Sequence, residues 1–197
     1  MIYGYGIDPA QSLNYCGIVV TSVDDDIRLV TIRKLKNVKY PEIERLLFHD
    51  LFVRFPPDFI CIDYTNEKSL SESIEAHFNN EFLDTYSSSY HKWQYVQPVI
   101  FNQEMKLRLK QNARQLFEKK KFVWPEKNSS DPMIWSLVEE LREQMLLEAA
   151  LPGIDGRLRF PKPAGHDNDL ITALELNLHG AKGHLPEFGV RWFWVRG

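Results

Sequence analysis

The 197-residue sequence is poor in cysteine and has no long hydrophobic run. Its only cysteines, Cys16 and Cys61, both lie within apolar stretches, so we expect reduced core thiols rather than a disulfide-rich secreted scaffold. No stretch approaches about 20 apolar residues, the length that a transmembrane helix requires. The first residues also lack a basic segment followed by an apolar one. We therefore expect no secretory signal, no membrane association and a cytoplasmic location.

The sequence also lacks a strong excess of charge of either sign, with 24 basic residues, 27 acidic residues and a net charge of -3. Such a balance alone does not indicate a nucleic-acid-binding protein. The sum is a weak guide, however, because carboxylates that hold metal ions offset basic residues elsewhere in the chain. The positions of the charges therefore carry more information than their total.

Repeats, low-complexity tracts and an ATP-binding P-loop are missing as well. Because the sequence has no G-x-x-x-x-G-K-[ST] pattern, we expect no ATPase motor domain within it. With 44% hydrophobic and 13% aromatic residues, it has enough apolar material for one packed core. No internal linker is apparent, so residues 1–197 are expected to form a single domain.

The apolar pattern predicts an α/β fold. Three consecutive strands are followed by strands that alternate with helices, which predicts a mixed sheet of three antiparallel strands and then parallel strands, flanked by helices. The predicted strands cover residues 2–8, 15–22, 27–35, 59–63 and 93–101, with a short extended piece at 122–124 and a small hairpin near 158–160. The predicted helices cover residues 41–54, 70–79, 103–120, 133–150 and 167–179.

Acidic residues stand where predicted elements end or begin. Asp8 ends the first strand, Asp63 ends the fourth, and residues 166–169 place two more acids at the start of the last helix. Sites in open α/β sheets form beyond the carboxyl ends of parallel strands, so these acids are expected to converge. Clustered carboxylates suit Mg²⁺ or Mn²⁺, and two such ions can clamp the attacking and leaving oxygens of a phosphodiester.

Each acid also has a purely structural interpretation. Asp8 precedes a proline and could start a turn, and Asp63 could cap the segment that follows it. Asp167 or Asp169 could cap the last helix and benefit from its dipole. We favour the metal cluster because all of these positions coincide with the predicted strand order.

Several segments of the sequence match the motifs of one known family. Ile60-Cys61-Ile62-Asp63-Tyr64-Thr65 is similar to an acid-x-Thr-Gly motif, and residues 165–174 are similar to a closing His-Asp-Asp…Ala-Leu motif. Residues 5–8 and 16–20 match an opening hairpin, and residues 97–106 and 122–125 match the intervening strand, lysine-bearing helix start and short strand. In these segments, which cover most of the chain, the sequence resembles the nuclease domain of the viral, bacteriophage-type terminase large subunit, which has the RNase H-like fold.

The resemblance implies that Asp8, Asp63 and one acid of the closing motif are catalytic and bind two Mg²⁺ or Mn²⁺ ions. The family often has Gly where this chain has Asn66, so the turn of the second motif is unusual. His166 is a candidate for proton transfer or for a supporting contact beside the ligands.

The identity of the third ligand depends on how the closing motif is counted. That motif has one extra residue between His166 and Ala173. Counting from His166 favours Asp167, whereas counting back from Ala173 favours Asp169. We prefer Asp169, because its spacing to Ala173 puts it on the first helical turn, and we retain Asp167 as the alternative.

Basic residues on the long helix suggest a surface for DNA. Lys106, Lys110 and Arg114 lie at i, i+4 and i+8, which forms one stripe that could follow a phosphate backbone. Arg157 and Arg159, in the loop before the closing motif, are further candidates. The alternative is an ordinary solvated helix face. Basic residues of the third strand are expected on a solvent-exposed edge; they are Arg33, Lys34 and Lys36.

The resemblance implies a metal-dependent endonuclease that cleaves double-stranded DNA during viral genome packaging. Its partners would be DNA, an ATPase motor domain, a small terminase subunit and a portal, in the host cytoplasm. A Holliday-junction resolvase or an RNase H would use the same acids. A nucleotide-binding protein of the actin and sugar-kinase type is disfavoured, because residues 8–12 contain no glycine. A catalytically silent interaction domain with the same fold is the last alternative.

Overall fold

The structure is a computed structural model. It describes residues 1–9, 15–65, 68–85, 96–127, 131–147, 151–152, 158–159 and 168–188. Within these ranges, no helix is both long enough and apolar enough to cross a membrane.

Strands and helices occur in the predicted order. The strands are β1 (Ile2–Asp8), β2 (Tyr15–Val23), β3 (Ile27–Lys36), β4 (Phe59–Asp63), β5 (Val96–Val99), β6 (Phe122–Val123), β7 (Leu151–Pro152) and β8 (Leu158–Arg159). The helices are α1 (Tyr40–Leu46), a π-helical turn (Leu47–Leu51), α2 (Phe52–Arg54), α3 (Lys68–Thr85), α4 (Gln103–Glu118), α5 (Pro132–Leu147) and α6 (Asp169–Lys182).

The first six strands form one mixed sheet in the order β5-β4-β1-β2-β3-β6. β1, β2 and β3 pair antiparallel, whereas β4 pairs parallel with β1 and β5 pairs parallel with β4. The mixed α/β sheet flanked by helices is therefore confirmed. The predicted hairpin near residue 158 is confirmed as the antiparallel β7–β8 pair. The pairing of β6 with β3 was not predicted, because two residues carry too short a pattern.

The two faces of the sheet bury different residues, as the alternation of side chains along a strand requires. Tyr5 and Ile7 point toward α1, the π-helical turn and α3, whereas Val19 and Cys61 belong to the core on the other face. Helix α6 lies across this second face, in contact with β1, β2 and β4, and α4 and α5 pack beside it. We call this second face the α6 face. Both cysteines are buried free thiols, as expected.

Several predicted boundaries are wrong. Helix α3 reaches Thr85 rather than ending at residue 79, because the weak helix propensity of two asparagines does not stop it. Strand β5 ends at Val99 rather than Phe101, since the backbone N–H of Phe101 donates to Thr65 instead of joining the sheet. Helix α4 ends at Glu118 rather than residue 120, where Lys120 takes a positive φ of 56°.

Helix α6 also differs from its predicted range of 167–179. It begins at Asp169, with Asn168 as the N-cap residue, and continues to Lys182. It passes through Gly180, whose lack of a side chain brings the helix onto the sheet. A Cβ atom at Gly180 would lie 2.6 Å from the Phe59 ring and 2.8 Å from Cys61 Sγ. A glycine that suggests a helix end in the sequence is thus a packing residue in the structure.

Candidate metal centre

Asp8 and Asp63 are neighbours at one end of the sheet. Strands β1 and β4 run parallel with Ile7 opposite Ile62, so the next residues of the two strands are these acids. Neighbouring strands are about 4.8 Å apart. Both acids lie on the α6 face, because Asp8 is two residues beyond Gly6 and Asp63 is two residues beyond Cys61. The two carboxylates predicted at strand ends are therefore brought together.

Asp169 reaches the same end of the sheet from helix α6. Asp8 pairs with Gly17 of β2, and a Cβ atom on Gly17 would lie only 2.3 Å from the carbonyl oxygen of Asp169. A Cβ atom on Gly6 would lie 1.9 Å from the carbonyl oxygen of Ala173. Glycine at both positions thus lets the first turns of α6 rest directly on the strands. Asp169 itself is 7% exposed on that first turn.

A buried asparagine holds α6 to β1 and β2. Asn177 is fully buried, and its Nδ2 donates to the carbonyl oxygens of Gly4 at 2.8 Å and Val19 at 3.3 Å. Its Oδ1 accepts a hydrogen bond of 2.8 Å from the Thr21 hydroxyl. A satisfied buried amide fixes both the position and the rotation of the helix. Asn177 therefore helps to determine where Asp169 lies.

The start of α6 is held from the other side by helix α5. The N-cap residue Asn168 makes no side-chain capping bond, although the first backbone N–H groups of a helix need acceptors. Gln144, which is buried on α5, supplies such an acceptor. Its Oε1 accepts a hydrogen bond of 3.1 Å from the backbone N–H of Ile171. Gln144 Nε2 in turn donates to Glu140 at 3.3 Å. The segment that carries Asp169 is thus capped by a residue from another helix.

The threonine of the Asp63-Tyr64-Thr65 motif fixes the second acid. The backbone N–H of Thr65 donates to Asp63 Oδ1 at 2.8 Å, which orients the carboxylate. The Thr65 hydroxyl accepts from the backbone N–H of Phe101 at 2.7 Å, and the Tyr64 N–H donates to the Val99 carbonyl at 2.8 Å. These bonds tie the end of β4 to the segment after β5.

Cys61 lies beneath this site but does not belong to its chemistry. Burial raises the pKa of the Cys61 thiol to about 12, although a hydrogen bond with the Gly180 backbone opposes the rise. A thiol with this pKa remains protonated at neutral pH, whereas metal ligands and nucleophiles are thiolates. The oxygen donors of the acids are therefore the groups available to a cation.

The donor set fits a hard divalent cation in kind. Asp8, Asp63 and Asp169 offer carboxylate oxygens, the ligands that Mg²⁺ and Mn²⁺ prefer. Among the described residues, however, no three His, Cys, Asp or Glu side chains are already grouped tightly enough to hold an ion. Asp167, the alternative third ligand, and His166 lie outside the described residues. The structure thus places Asp8 and Asp63 side by side and brings the backbone of Asp169 over Gly17, the residue paired with Asp8.

The predicted basic stripe on α4 is only partly open to a ligand. Lys106 is exposed. The Lys110 side chain is 16% exposed and forms a 3.0 Å ion pair with Glu175 of α6, so it also joins two helices. Arg114 is exposed and pairs with Glu118 at 2.7 Å. Arg157 lies outside the described residues, and only the backbone of Arg159, in β8, is described.

The prediction that all three basic residues of β3 line a solvent edge is wrong for Lys34. The Lys34 side chain is 10% exposed, pairs with Glu140 of α5 and lies with its Nζ 3.9 Å from the centroid of the Tyr15 ring. The sequence contained one signal against a shared solvent edge. Strand alternation puts Lys34 and Lys36 on one face of the sheet and Arg33 on the other, so the three residues cannot have the same environment. The helix that covers Lys34 is more than 100 residues away in the chain, which no local pattern reveals.

Comparison with known proteins relates this geometry to a fold. No family model matches the sequence, and no curated protein matches it. Among solved structures, the large terminase nuclease of thermophilic phage G20c with bound cobalt has a TM-score of 0.67 at 15% identity, over 90% of this chain and 80% of that one. The chain has the RNase H-like fold of phage large terminase nucleases.

Two further structures support this fold assignment. The large terminase nuclease domain of bacteriophage SPP1, with bound manganese, has a TM-score of 0.53 at 13% identity, over 91% of this chain and 86% of that one. The yeast mitochondrial Holliday junction resolvase Ydc2 has a TM-score of 0.52 at 8% identity, over 90% of this chain and 78% of that one. The RNase H-like fold that the resemblance implied is therefore confirmed.

Proposed function

We propose that this chain is a metal-dependent endonuclease that cleaves double-stranded DNA during viral genome packaging. The observation that carries the proposal is the pairing of β1 with β4, which ends both parallel strands in an acid on the same face of the sheet. Helix α6, which begins with Asp169, rests on the strand residue paired with Asp8. The likeness to phage terminase nucleases supports this assignment.

The acids would together hold the metal ions of the proposed site. Asp8 and Asp63 would supply carboxylate oxygens from the two strand ends, and Asp169, or Asp167, would supply them from the start of α6. Two Mg²⁺ or Mn²⁺ ions, when bound there, supply a nucleophilic water and stabilise the leaving oxygen of the phosphodiester. The Thr65 N–H keeps the Asp63 carboxylate oriented. The contacts of Gln144 and Asn177 keep the Asp169 helix in place.

The substrate and partners follow from the same proposal. The terminase nucleases that share this fold support duplex DNA as the substrate. An ATPase motor domain, a small terminase subunit and a portal would then complete the packaging machine in the host cytoplasm. Lys106 is the exposed cation of the α4 stripe best available to the DNA backbone.

The test is cleavage of supercoiled plasmid with Mg²⁺, with Mn²⁺ and with EDTA. The wild-type protein should nick and linearise the plasmid only with metal. Asp8→Asn should reduce the rate by at least about 100-fold, since loss of groups that merely support a ligand already costs 10-fold to 100-fold. Asp25→Asn, in the exposed β2–β3 turn, is the matched control and should retain full activity.

Failure of the test would take two forms. No cleavage by the folded wild-type protein with either metal would count against an active nuclease and favour a silent domain of the same fold. Cleavage that persists in Asp8→Asn would mean that the active site lies elsewhere.

A junction resolvase is the second candidate, supported by the likeness to Ydc2. The same assay should therefore include a four-way DNA junction and an RNA–DNA hybrid beside a linear duplex of the same sequence. Much faster cutting of the junction would favour the resolvase, and much faster cutting of the hybrid would favour an RNase H.

A further inference from the structure

Two lysines of β3 lie at the same end of the sheet as Asp8 and Asp63. Asp8 pairs with Gly17 and Gly17 pairs with Lys34, while the next pair outward joins Tyr15 to Lys36. Since paired residues share a face, both lysines lie on the α6 face, at the same end of the sheet as the acids. The acidic end of this face therefore becomes basic toward β3.

The cations on the two sides of the acids stand on different elements. Toward β5, Asp63 pairs with Val99, whose side chain is only 4% exposed, and the nearby cations belong to helices. Lys68 of α3 holds its Nζ 5.5 Å from the centroid of the Tyr64 ring, and Lys106 of α4 is exposed. Toward β3 the sheet itself carries the lysines, so a DNA strand that runs over the ends of β2 and β3 would also meet positive charge.

The two lysines have different environments. Lys34 is mostly buried, with its charge paired to Glu140. Lys36 is exposed, has no acidic partner among the described residues, and holds its Nζ 5.3 Å from the centroid of the Tyr15 ring. An ammonium group over an aromatic face is steadied without being neutralised. Lys36 is thus the lysine of this pair that remains available to an anion.

The distance from the acids suits a contact with the same DNA strand. β3 lies two strands from β1, about 10 Å, and Lys36 lies one residue pair further out, about 7 Å along the strand. These steps separate the Cα atoms of Asp8 and Lys36 by roughly 12 Å. One DNA strand has a phosphate about every 3.4 Å along the helix axis, so this distance corresponds to a few nucleotides.

We propose that Lys36, steadied by Tyr15, binds a backbone phosphate of the DNA strand a few nucleotides from the bond that is cut. The inference rests on the proposed nuclease function and adds a substrate-binding residue that the sequence pattern assigned to a solvent edge. Lys36 acts on DNA binding and on the path of the strand, and it takes no part in the cleavage step.

The test measures DNA affinity against salt for Lys36→Ala and Lys36→Arg. A short fluorescent duplex is titrated in the Asp8→Asn background, so that DNA is bound without being cut. Loss of one phosphate contact should reduce the slope of log affinity against log salt by about 0.9 and weaken binding about eight-fold near 0.1 M salt. Lys36→Arg should retain both the slope and the affinity.

Arg28→Ala is the matched control. Arg28 is an exposed cation on the same strand, at the end of β3 away from the acids, so its loss should leave the slope unchanged. In cleavage assays with the wild-type acids, Lys36→Ala should raise the KM for DNA and leave kcat unchanged. A lysine with only a structural role would not alter the salt slope.

The outcomes separate this inference from the proposed function. If the wild-type protein cleaves DNA but Lys36→Ala keeps the wild-type salt slope, or Arg28→Ala loses as much, the role of Lys36 is refuted and the nuclease stands. If the wild-type protein neither binds nor cleaves DNA, both are refuted.

Discussion

Replacing Asn177 with alanine should destabilise the protein more than most single substitutions. The change removes three hydrogen bonds, two donated to Gly4 and Val19 and one accepted from Thr21. At about 1 kcal/mol for each bond, with a further contribution from the cavity in a fully buried position, the loss is about 3 to 4 kcal/mol. For a domain of this size that lowers the melting temperature by roughly 10 °C.

The measurement is urea unfolding monitored by tryptophan fluorescence, with a double-mutant cycle. Thr21→Val removes the hydroxyl that donates to Asn177 and should cost about 1 to 2 kcal/mol. Because the two residues share that bond, the double variant should lose about 1 kcal/mol less than the sum of the single losses. Ser22→Ala is the control, since this neighbour points to the opposite face of β2.

Two results would refute this reasoning about Asn177. A loss below about 1 kcal/mol would mean that α6 does not depend on the amide for its position. Strict additivity of Thr21→Val and Asn177→Ala would mean that the Thr21 bond contributes nothing to stability.

Two other substitutions test how the third acid is positioned. Gly17→Ala places a Cβ atom 2.3 Å from the Asp169 carbonyl oxygen, so it should displace the start of α6 and weaken Mn²⁺ binding about 10-fold or more by calorimetry; Gly183→Ala, where the nearest atom is 3.6 Å away, should leave it unchanged. Gln144→Met removes the acceptor of the Ile171 N–H, so it should cost about 1 to 3 kcal/mol by urea unfolding and also weaken Mn²⁺ binding. Wild-type Mn²⁺ affinity in Gly17→Ala would contradict the first prediction, and unchanged stability in Gln144→Met would contradict the second.

The sequence was most informative where a local pattern carries the structural signal. A short apolar strand that ends in an acid is visible in the residue order, and β1 and β4 end at Asp8 and Asp63 as predicted. The N-cap of α4 was also predictable, since Asn102 accepts the bond from the Met105 N–H that its residue type suggests. Both features depend on residues that are close in the chain.

Contacts between distant residues could not be predicted from one sequence. Asn177 and Thr21 are 156 positions apart, and Gln144 caps a helix that begins 25 residues later. A polar residue on a helix usually faces solvent, so the pattern alone gives no reason to bury Asn177 or Gln144. Lys34 was wrongly predicted to face solvent for the same reason, because its partner Glu140 lies on α5, far away in the chain.

The choice between Asp167 and Asp169 shows how packing and motif spacing contribute separately to the site. The closing motif has one extra residue, so spacing from the histidine favours Asp167 and spacing from the alanine favours Asp169. The position of α6 depends on neither count. Gly6 and Gly17 let the helix rest on the strands, and the buried amide of Asn177 fixes where its first turn lies along them. That turn begins at Asp169, over the strand residue paired with Asp8. These contacts put the start of α6 beside Asp8, which supports the proposal of Asp169 as the third ligand, whereas Asp167 lies outside the described residues.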